Sequence, residues 1–276
     1  MGTASDGLSR VPGTSRPVRR RHRARVLQTN RCGFHRAAWF AQAPGDPLFA
    51  GLIDYPALRG KQVLEAGCGL GAVSAQLARQ GARVTALDLT WTGASSTGRR
   101  FALDGTRGTA IEADAERLPF ADASFDFVWS WGAIHHATDP VRALDDIHRV
   151  LRPGGELRMM VYNRHSFYNW LSIVLRHGIV RMQLRRYSMQ ELWNRYSDAR
   201  AIGGCPRVGY FSAGEVQRLA SGFDVVELRA FEQKTALTRL VPRGMRPSLE
   251  KKVPGSLMHA LFGRFGLLLY CRARKR

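Results

Sequence analysis

Acidic residues, cysteines and long apolar runs are all scarce in this sequence, and each shortage narrows the class of protein. The four cysteines among 276 residues are widely spaced and form no C-x-x-C pair, so neither a disulfide framework nor a metal site is indicated. No apolar run approaches the roughly 18 residues that cross a bilayer, and the first residues lack the apolar segment of a secretory signal. We therefore expect a reduced, cytoplasmic protein without a transmembrane segment.

The shortage of acids is uneven along the chain. The sequence holds 42 Lys and Arg against 22 Asp and Glu, which gives a formal net charge of +20. Residues 1–36 contain nine Arg and one acid, and residues 234–276 contain eleven basic residues and one acid, so the 22 basic and 20 acidic residues between them nearly balance. The charge therefore belongs to the two ends. This makes nucleic acid an unexpected partner of the body of the protein but leaves that partner open for the ends.

The first part of the chain has the composition of a disordered tail. Residues 1–31 are rich in Arg, Ser, Gly, Thr and Pro and nearly free of large apolar side chains. A solvated basic tail is the favoured interpretation, and an RNA-binding arm, a membrane-binding arm and a transit peptide are the alternatives. We expect residues 32–276 to form a single domain.

Two further segments of that domain are predicted to lie outside its central sheet. Residues 33–55 are rich in aromatic side chains and predict a helical lid. Most of these residues are expected to pack against the edge of the sheet, and Phe34, His35 and Trp39 are the candidates for contact with a ligand. The basic, proline-containing segment 234–255 predicts a solvated loop, with anionic lipid as the alternative partner.

Residues 63–74 combine an apolar strand, a glycine turn and the start of a helix. Gly67, Gly69 and Gly71 allow a tight turn that a ligand can approach closely. The first N–H groups of the following helix would point into that turn. Gly67, Gly69 and Ala72 also fit the G-x-G-x-x-A fingerprint of dinucleotide sites, so the turn alone leaves a NAD(P) site open.

Acidic residues lie at the predicted ends of the first three strands. Glu65 precedes the glycine turn, Asp88 ends the second strand and Asp114 follows the third, with no Lys or Arg at those strand ends. Such a pocket favours the sulfonium and ammonium groups of S-adenosylmethionine over a pyrophosphate. Asp88 also lies about twenty residues beyond Gly67, where an acid that binds the ribose hydroxyls is expected, and capping of the next helix is its alternative role.

Strands and helices are predicted to alternate through residue 163. The predicted segments are strand 83–87, helix 92–103, strand 109–112, strand 125–130, helix 140–151 and strand 156–162. The helix 140–151 begins with the Asp139 cap and Pro140, and residues 152–155 end it. This order predicts a Rossmann-like, doubly wound α/β sheet with helices on both faces. Such sheets bind ligands at the carboxyl ends of their strands, where the acidic residues and the segment 130–136 lie.

Five motifs in this order resemble a known family. The runs VLEAGCGLG, ALD, ADAERLPFADASFDFVWS, IHH and HRVLRPGGEL lie within about residues 60–163. Together they resemble the class I S-adenosylmethionine-dependent methyltransferases, in the small-molecule branch that contains the ubiquinone and menaquinone biosynthesis enzymes. The resemblance implies a seven-stranded sheet and S-adenosyl-L-methionine as the cofactor. It also implies two more strands, for which residues 223–231 and 267–272 are candidates, with the last strand antiparallel between its neighbours.

The resemblance further implies which residues bind the cofactor. The methionine end would be held by Glu65, Gly67, Cys68, Gly69 and Gly71, the ribose by Asp88 and Leu89, and the adenine edge by Asp114 and Ala115, while Ser130 and Trp131 would line the cofactor beyond the fourth strand.

Residues 164–211 are an insertion that the cofactor fold does not need. Ser212 and Glu215 after it form the sequence of a capping box, which predicts the start of a core helix. Apolar residues recur in the insertion at helical spacing and predict a helix that packs this face on the sheet: Phe167, Trp170, Leu171, Val174 and Leu175. Its position after the fifth strand predicts a lid over an apolar acceptor, with peripheral membrane contact as an alternative.

Methyl transfer from a sulfonium depends more on alignment than on a dedicated base. For a weakly acidic oxygen acceptor, a histidine would remove the proton, and His135, His136 and His165 are the candidates. Their alternative roles are hydrogen bonds within the loop and the start of the lid helix. The acceptor is predicted to be a small hydrophobic or aromatic molecule, and neither the accepting atom nor the oligomeric state is predicted.

Methylation of nucleic acid is disfavoured by two motifs. The end of the fourth strand reads SWGA, without the Asn/Asp-Pro-Pro-aromatic sequence of adenine methylation. Cys205-Pro206 has the reverse order of the Pro-Cys pair of cytosine methylation. The remaining alternatives are a NAD(P)-dependent oxidoreductase that uses the same glycine turn, and a non-catalytic RNA-binding or membrane-binding protein.

Overall fold

The computed structural model describes residues 46–198, 203–231 and 263–276. Its strands are β1 (Gln62–Ala66), β2 (Arg83–Asp88), β3 (Gly108–Glu112), β4 (Phe125–Trp131), β5 (Leu151–Asn163), β6 (Tyr210–Phe211), β7 (Phe223–Phe231) and β8 (Leu268–Lys275). Its helices are α1 (Ala72–Arg79), α2 (Trp91–Asp104), α3 (Pro140–Val150), α4 (Met189–Tyr196) and α5 (Ala213–Leu219), together with a π-helix (Tyr168–Val180). The predicted basic tail, the lid residues Phe34, His35 and Trp39, and the loop 234–255 lie outside the described residues.

The eight strands form one sheet in the order β3-β2-β1-β4-β5-β8-β7, with the short β6 beside β5. The five strands from β3 to β5 are parallel, and β8 is antiparallel to both β5 and β7. The doubly wound order and the antiparallel last strand predicted from the sequence are therefore confirmed. Because Asp88 pairs with Glu112 and Ala66 with Leu87, the carboxyl ends of β1, β2 and β3 meet at one edge.

Both faces of the sheet are buried, and the strand sequences show why. Val63 and Phe127 lie in the core on one face, whereas Leu64 and Val128 lie in the core on the other. Helix α1 covers the first face, and α3 and α5 cover the second. Alternate residues therefore point to opposite cores, and a strand between them is apolar throughout instead of alternating with polar residues.

Local signals set the ends of the helices. The carboxylate of Asp139 accepts hydrogen bonds from the N–H groups of Val141 and Arg142 at 3.1 Å, with Pro140 in the first turn of α3. Ser212 and Glu215 form the predicted capping box at the start of α5. The predicted fifth strand was too short, because β5 begins at Leu151 and residues 152–155 lie within it, next to a register shift against β4.

The helix of the insertion presents a different face from the one predicted. Trp170 and Leu175 are 52% and 46% exposed, whereas Tyr168, Ile173 and His177 are buried. The prediction assumed 3.6 residues per turn, but this segment is a π-helix, whose i→i+5 hydrogen bonds give a wider turn and bring a different set of side chains inward. The expectation that the Trp170 and Leu175 face packs on the sheet is wrong.

Aromatic residues pack within the insertion and join it to the sheet. Within the insertion, the Tyr168 hydroxyl donates to the carbonyl of Tyr196 at 2.8 Å, and the indole of Trp193 stacks on Tyr210 with ring centres 5.1 Å apart. Tyr210 in turn packs on Tyr162 of β5, with ring centres 5.3 Å apart. Tyr210 belongs to β6, a two-residue strand that the sequence pattern did not predict. Across the described ranges, no helix combines the length and apolar character needed to cross a bilayer.

Candidate functional site

The glycine turn between β1 and α1 lies at the carboxyl edge of the sheet. Gly67 and Gly71 have φ angles of 86° and 70°, which side chains rarely tolerate. A Cβ atom at Gly67 would collide with the side chain of Ala133 beyond β4, and one at Gly71 would lie 2.7 Å from the hydroxyl of Thr97. Any residue other than glycine at position 67 or 71 would therefore push the turn away from Ala133, which follows β4, or from α2. At Gly69 a Cβ would meet open space, so the turn leaves room on that side for a ligand.

Helix α2 supports this turn through two residues that the sequence analysis did not identify. The Thr97 hydroxyl donates to the carbonyl of Gly69 at 3.2 Å, and the guanidinium of Arg100 donates to the carbonyl of Leu70 at 2.7 Å. Both side chains are buried. They satisfy carbonyls that a tight turn leaves unpaired, which explains two polar residues on the inner face of α2. The only sequence signal for this role is that Thr97 and Arg100 are three residues apart, which places them on one face of α2.

The Asp88 carboxylate connects the end of β2 to the glycine turn. One oxygen accepts a hydrogen bond from the Gly69 N–H at 2.8 Å, and the other accepts from the N–H and the hydroxyl of Thr90 at 2.9 and 2.7 Å. Thr90, not Asp88, caps α2, because its hydroxyl accepts from the Gly93 N–H. The capping alternative for Asp88 is therefore wrong, and its carboxylate is held at the edge where a ligand would lie.

The neighbouring positions at this edge are more open. Leu89 is 68% exposed directly after Asp88, an unusual place for a large apolar side chain. Asp114 is exposed and accepts from the Glu116 N–H at 2.9 Å, while Ala115 is partly buried beside it. The structure thus brings together all four residues predicted to contact the ribose and the adenine.

Glu65 does not contribute to the pocket in the way the sequence suggested. Its side chain is 4% exposed and accepts a hydrogen bond from the Ser74 hydroxyl in the first turn of α1. Burial raises the pKa of its carboxyl to about 8, even though the Ser74 hydrogen bond opposes the rise. At neutral pH this group is mainly uncharged, so the acidic character of the open edge depends on Asp88 and Asp114.

Three other predicted cofactor residues have side chains directed into the protein. Cys68 is buried and its thiol lies 3.3 Å from the Thr97 hydroxyl. Ser130 is fully buried and donates to the carbonyl of Ala66, which ties β4 to β1. Trp131 stacks on Trp129 with ring centres 5.2 Å apart. Contact between Cys68 or Ser130 and a cofactor therefore requires their backbone atoms.

The histidines predicted as bases occupy very different environments. His165 is exposed, and its backbone N–H is bound by the side chain of Asn163. His135 is 1% exposed, and burial lowers its pKa to about 3. His136 is partly buried; burial opposes its charged form, but the Asp198 carboxylate and the Arg207 carbonyl outweigh burial and raise its pKa.

The insertion brings Asp198 to these histidines, which the sequence could not indicate. The Asp198 carboxylate lies 4.0 Å from Nε2 of His135 and 3.5 Å from Nε2 of His136. The hydroxyl of Tyr162, at the end of β5, donates to both carboxylate oxygens, at 2.7 and 2.9 Å. Burial of Asp198 works against its charge, but the His136 and Tyr162 contacts hold its pKa below the ordinary value. A second polar site thus lies beyond β4 and β5, on the side of the insertion.

Comparison with known proteins identifies the central part of the chain. Residues 64–159 match the family described as "Methyltransferase domain". The chain is 40% identical over 102 residues to the malonyl-[acyl-carrier protein] O-methyltransferase of Enterobacter lignolyticus, which is 37% of this chain and 39% of that protein. It is 37% identical over 136 residues to the ubiquinone biosynthesis O-methyltransferase of Paracidovorax citrulli, which is 47% of this chain and 56% of that protein.

These curated relatives bear on the cofactor half of the sheet, because the chain spans about half or less of their length. Likeness of structure extends further. The S-adenosylmethionine-dependent methyltransferase of Mesorhizobium loti has a TM-score of 0.57 and 21% identity, covering 84% of this chain and 99% of that one. The fold is therefore the class I methyltransferase fold that the sequence predicted. The NAD(P)-dependent alternative is not favoured by these matches.

Proposed function

We propose that this protein is an S-adenosylmethionine-dependent methyltransferase that methylates a small-molecule acceptor. The observation that carries the proposal is the Asp88 carboxylate, held by the Gly69 N–H beside an open glycine turn within a methyltransferase domain. The turn supplies room and backbone N–H groups, and Asp88 supplies the acceptor atoms that two ribose hydroxyls require.

The donor and acceptor groups at the edge fit this cofactor. An ionised carboxylate offers about four acceptor sites, and the Asp88 carboxylate uses three of them for Gly69 and Thr90. Two ribose hydroxyls therefore fit if the Thr90 hydroxyl turns away. Next to them, exposed Leu89 offers an apolar surface for adenine, and Asp114 offers an acceptor for its amino group. The backbone of residues 67–71 would hold the methionine end. The buried Glu65 side chain would stabilise α1 through its hydrogen bond with Ser74.

The cofactor supplies a methyl group on a positively charged sulfur, which is an excellent leaving group. The chain then has to hold the acceptor atom in line with that methyl group and exclude competing nucleophiles. The insertion lies beside the ends of β4 and β5, and we infer that it covers the acceptor as a lid. The aromatic side chains of Tyr162, Trp193 and Tyr210 pack there, consistent with a hydrophobic or aromatic acceptor.

The proposal is tested by binding and by transfer. Calorimetry with S-adenosylmethionine should show one site, and Asp88→Asn should weaken it, because the amide presents an N–H₂ to the Gly69 N–H and the ribose. Methyl-deuterated S-adenosylmethionine is then incubated with a malonyl-[acyl-carrier protein], with hydroxylated aromatic compounds and with a native cell extract. Mass spectrometry should detect a labelled product that is absent from a heat-inactivated control. No cofactor binding and no labelled product together would reject the proposal.

Contact with a membrane surface remains a second proposal for the outer side of the insertion. Seven of the twelve exposed large apolar side chains in the described residues lie within 170–184. Residues 164–190 contain five Arg and no acid, the composition of a helix that lies on anionic lipid. Vesicles of phosphatidylcholine with phosphatidylglycerol should sediment the protein, and Ile179→Asp should release it, whereas Leu103→Asp on α2 should not. Equal sedimentation of all three proteins would contradict the proposal.

A further inference from the structure

Three potential metal ligands converge beyond the ends of β4 and β5. His135 and His136 belong to the turn Ile134–His136, and Asp198 follows α4, 62 residues later in the chain. One nitrogen from each histidine and one carboxylate oxygen all lie within 4.8 Å of one another, the one such group of three or more in the described ranges. This cluster is separate from the glycine turn and Asp88.

The hydrogen bond at His136 fixes which of its nitrogens faces the cluster. Its Nδ1 lies 2.7 Å from the carbonyl of Arg207, which can only accept, so Nδ1 carries the hydrogen. In the neutral ring the lone pair is then on Nε2, which faces the Asp198 carboxylate at 3.5 Å. A lone pair opposite a carboxylate is unfavourable unless a proton or a metal ion lies between them, and the Asp198 carboxylate that raises the His136 pKa can hold either one. A backbone carbonyl on the far nitrogen is also the usual second partner of a metal-binding histidine.

His135 provides an independent observation. Its ring is 1% exposed, and neither ring nitrogen makes a well-aligned hydrogen bond among the described residues. The polar groups nearest to it, the Met160 backbone and the Asp198 carboxylate, only partly offset the effect of burial on its pKa, which stays low. A buried polar group without a partner costs about 1–3 kcal/mol, and such groups are uncommon in folded proteins. Nε2 of this ring lies 4.0 Å from the Asp198 oxygen, so an ion placed between them would satisfy that nitrogen. The ring is held in place by stacking on Tyr162 at 4.3 Å.

The third ligand is oriented in the same manner. Tyr162 donates to both oxygens of Asp198, and one of these oxygens, Oδ2, also faces both histidines. A carboxylate held by a second hydrogen-bond donor is typical of metal sites.

We propose that His135, His136 and Asp198 bind one divalent transition-metal ion through two imidazole nitrogens and a carboxylate oxygen. Two imidazoles and a carboxylate suit Zn²⁺ and Co²⁺, with bonds of about 2.0–2.2 Å. Tetrahedral ligands at that length are about 3.4 Å apart. The 3.5 and 4.0 Å separations from Asp198 need only a small contraction, and the whole group, which lies within 4.8 Å, closes further around the ion. Three protein ligands leave a fourth position open, as in catalytic zinc sites.

The catalytic role of the ion rests on the proposed methyltransferase function. A Lewis acid beside the acceptor would lower the pKa of an acceptor hydroxyl. The hydroxyl proton would pass to solvent, the oxygen–methyl bond would form as the sulfur–methyl bond breaks, and the sulfur would leave as the neutral thioether of S-adenosylhomocysteine. Metal binding itself requires none of these steps, so the two ideas can be tested separately.

The test is a titration of the chelator-treated full chain with Co²⁺, without cofactor. We expect one equivalent of Co²⁺ to bind with a visible absorption spectrum of low-coordinate cobalt, and Zn²⁺ to displace it. Asp198→Asn and His136→Asn should each weaken binding at least tenfold. Tyr162→Phe, which removes only the supporting hydroxyl, should weaken it about 10- to 100-fold. His165→Ala removes an exposed histidine outside the cluster and should leave binding unchanged.

The result that would overturn the proposal is equally direct. Substoichiometric binding to the folded wild-type chain would overturn it, as would binding that persists in Asp198→Asn and His136→Asn at the level of His165→Ala. Circular dichroism of each variant shows whether a loss of binding reflects unfolding. Failure of the methyl-transfer assay with intact Co²⁺ binding would reject the catalytic function and leave the metal site standing.

Discussion

The position of Asp88 can be tested by adding one methyl group to the neighbouring helix. A Cβ at Gly93 would lie 2.5 and 2.7 Å from the two oxygens of the Asp88 carboxylate, too close for the carboxylate to keep its present position. The carboxylate would have to leave its hydrogen bonds to Gly69 and Thr90. Gly93→Ala should therefore remove the ribose acceptors without changing a single polar residue.

The size of the effect follows from the bonds involved. A hydrogen bond to a charged group contributes about 1.5–3 kcal/mol, so the loss of one ribose contact should weaken S-adenosylmethionine binding about 10- to 100-fold. Gly98→Ala in the same helix is the matched control, because its Cβ would meet only the Ala110 side chain at an ordinary 3.9 Å. Both substitutions exchange glycine for a better helix former, which favours the helix by up to about 1 kcal/mol.

Calorimetry with S-adenosylmethionine measures the affinity, and urea denaturation measures the free energy of unfolding. Gly98→Ala should bind as the wild type does and unfold at the same or a higher urea concentration. Gly93→Ala should lose affinity while remaining folded. Wild-type affinity in folded Gly93→Ala would refute the assignment of Asp88 to the ribose.

Three further predictions concern the support of the site. The Glu65 pKa is raised in the folded state, so its contribution to stability is complete below about pH 4.5 and is lost as pH rises towards 8. Between pH 5 and pH 8 the loss is on the order of 4 kcal/mol, and Glu65→Gln should abolish it in urea denaturation at these two pH values. Parallel pH profiles of the variant and the wild type would contradict this prediction. Thr97→Val leaves the Gly69 carbonyl without its donor, so it should lower the free energy of unfolding by about 1–3 kcal/mol and weaken cofactor binding. An unchanged affinity for S-adenosylmethionine in calorimetry would contradict this role of Thr97. Ser212→Ala should cost about 1 kcal/mol by removing the α5 cap with no change in cofactor affinity, and a change in affinity would show that α5 reaches the site.

The sheet could be predicted from the sequence because its signals are local. Uninterrupted apolar runs mark strands that are covered on both faces, and the cap formed by Asp139 and Pro140 marks the start of α3 within one residue. The Asp88 position was predicted from its distance to Gly67, since a βαβ unit fixes the number of residues between them. The structure places that carboxylate beside the turn, and its contact with the cofactor remains a prediction.

Features that depend on distant parts of the chain could not be predicted. Asp198 meets His135 and His136 only because the insertion folds back over the ends of β4 and β5, and no spacing in the sequence encodes that approach. Burial of Glu65 beneath the turn changes its charge, which a sequence read as a row of formal charges cannot show. The π-helix likewise presents a face that a period of 3.6 residues does not select.

The place of β8 in the sheet has a consequence for synthesis of the protein. β8 is the last described strand in the sequence, yet it lies between β5 and β7 and forms hydrogen bonds with both. While a ribosome is still producing the chain, β5 has an unpaired edge on this side and β7 has no strand to join. The parallel half can form early, but the outer half must wait for residues 268–275. A stalled or truncated chain would expose an unpaired strand edge, with free backbone N–H and C=O groups, to chaperones and proteases.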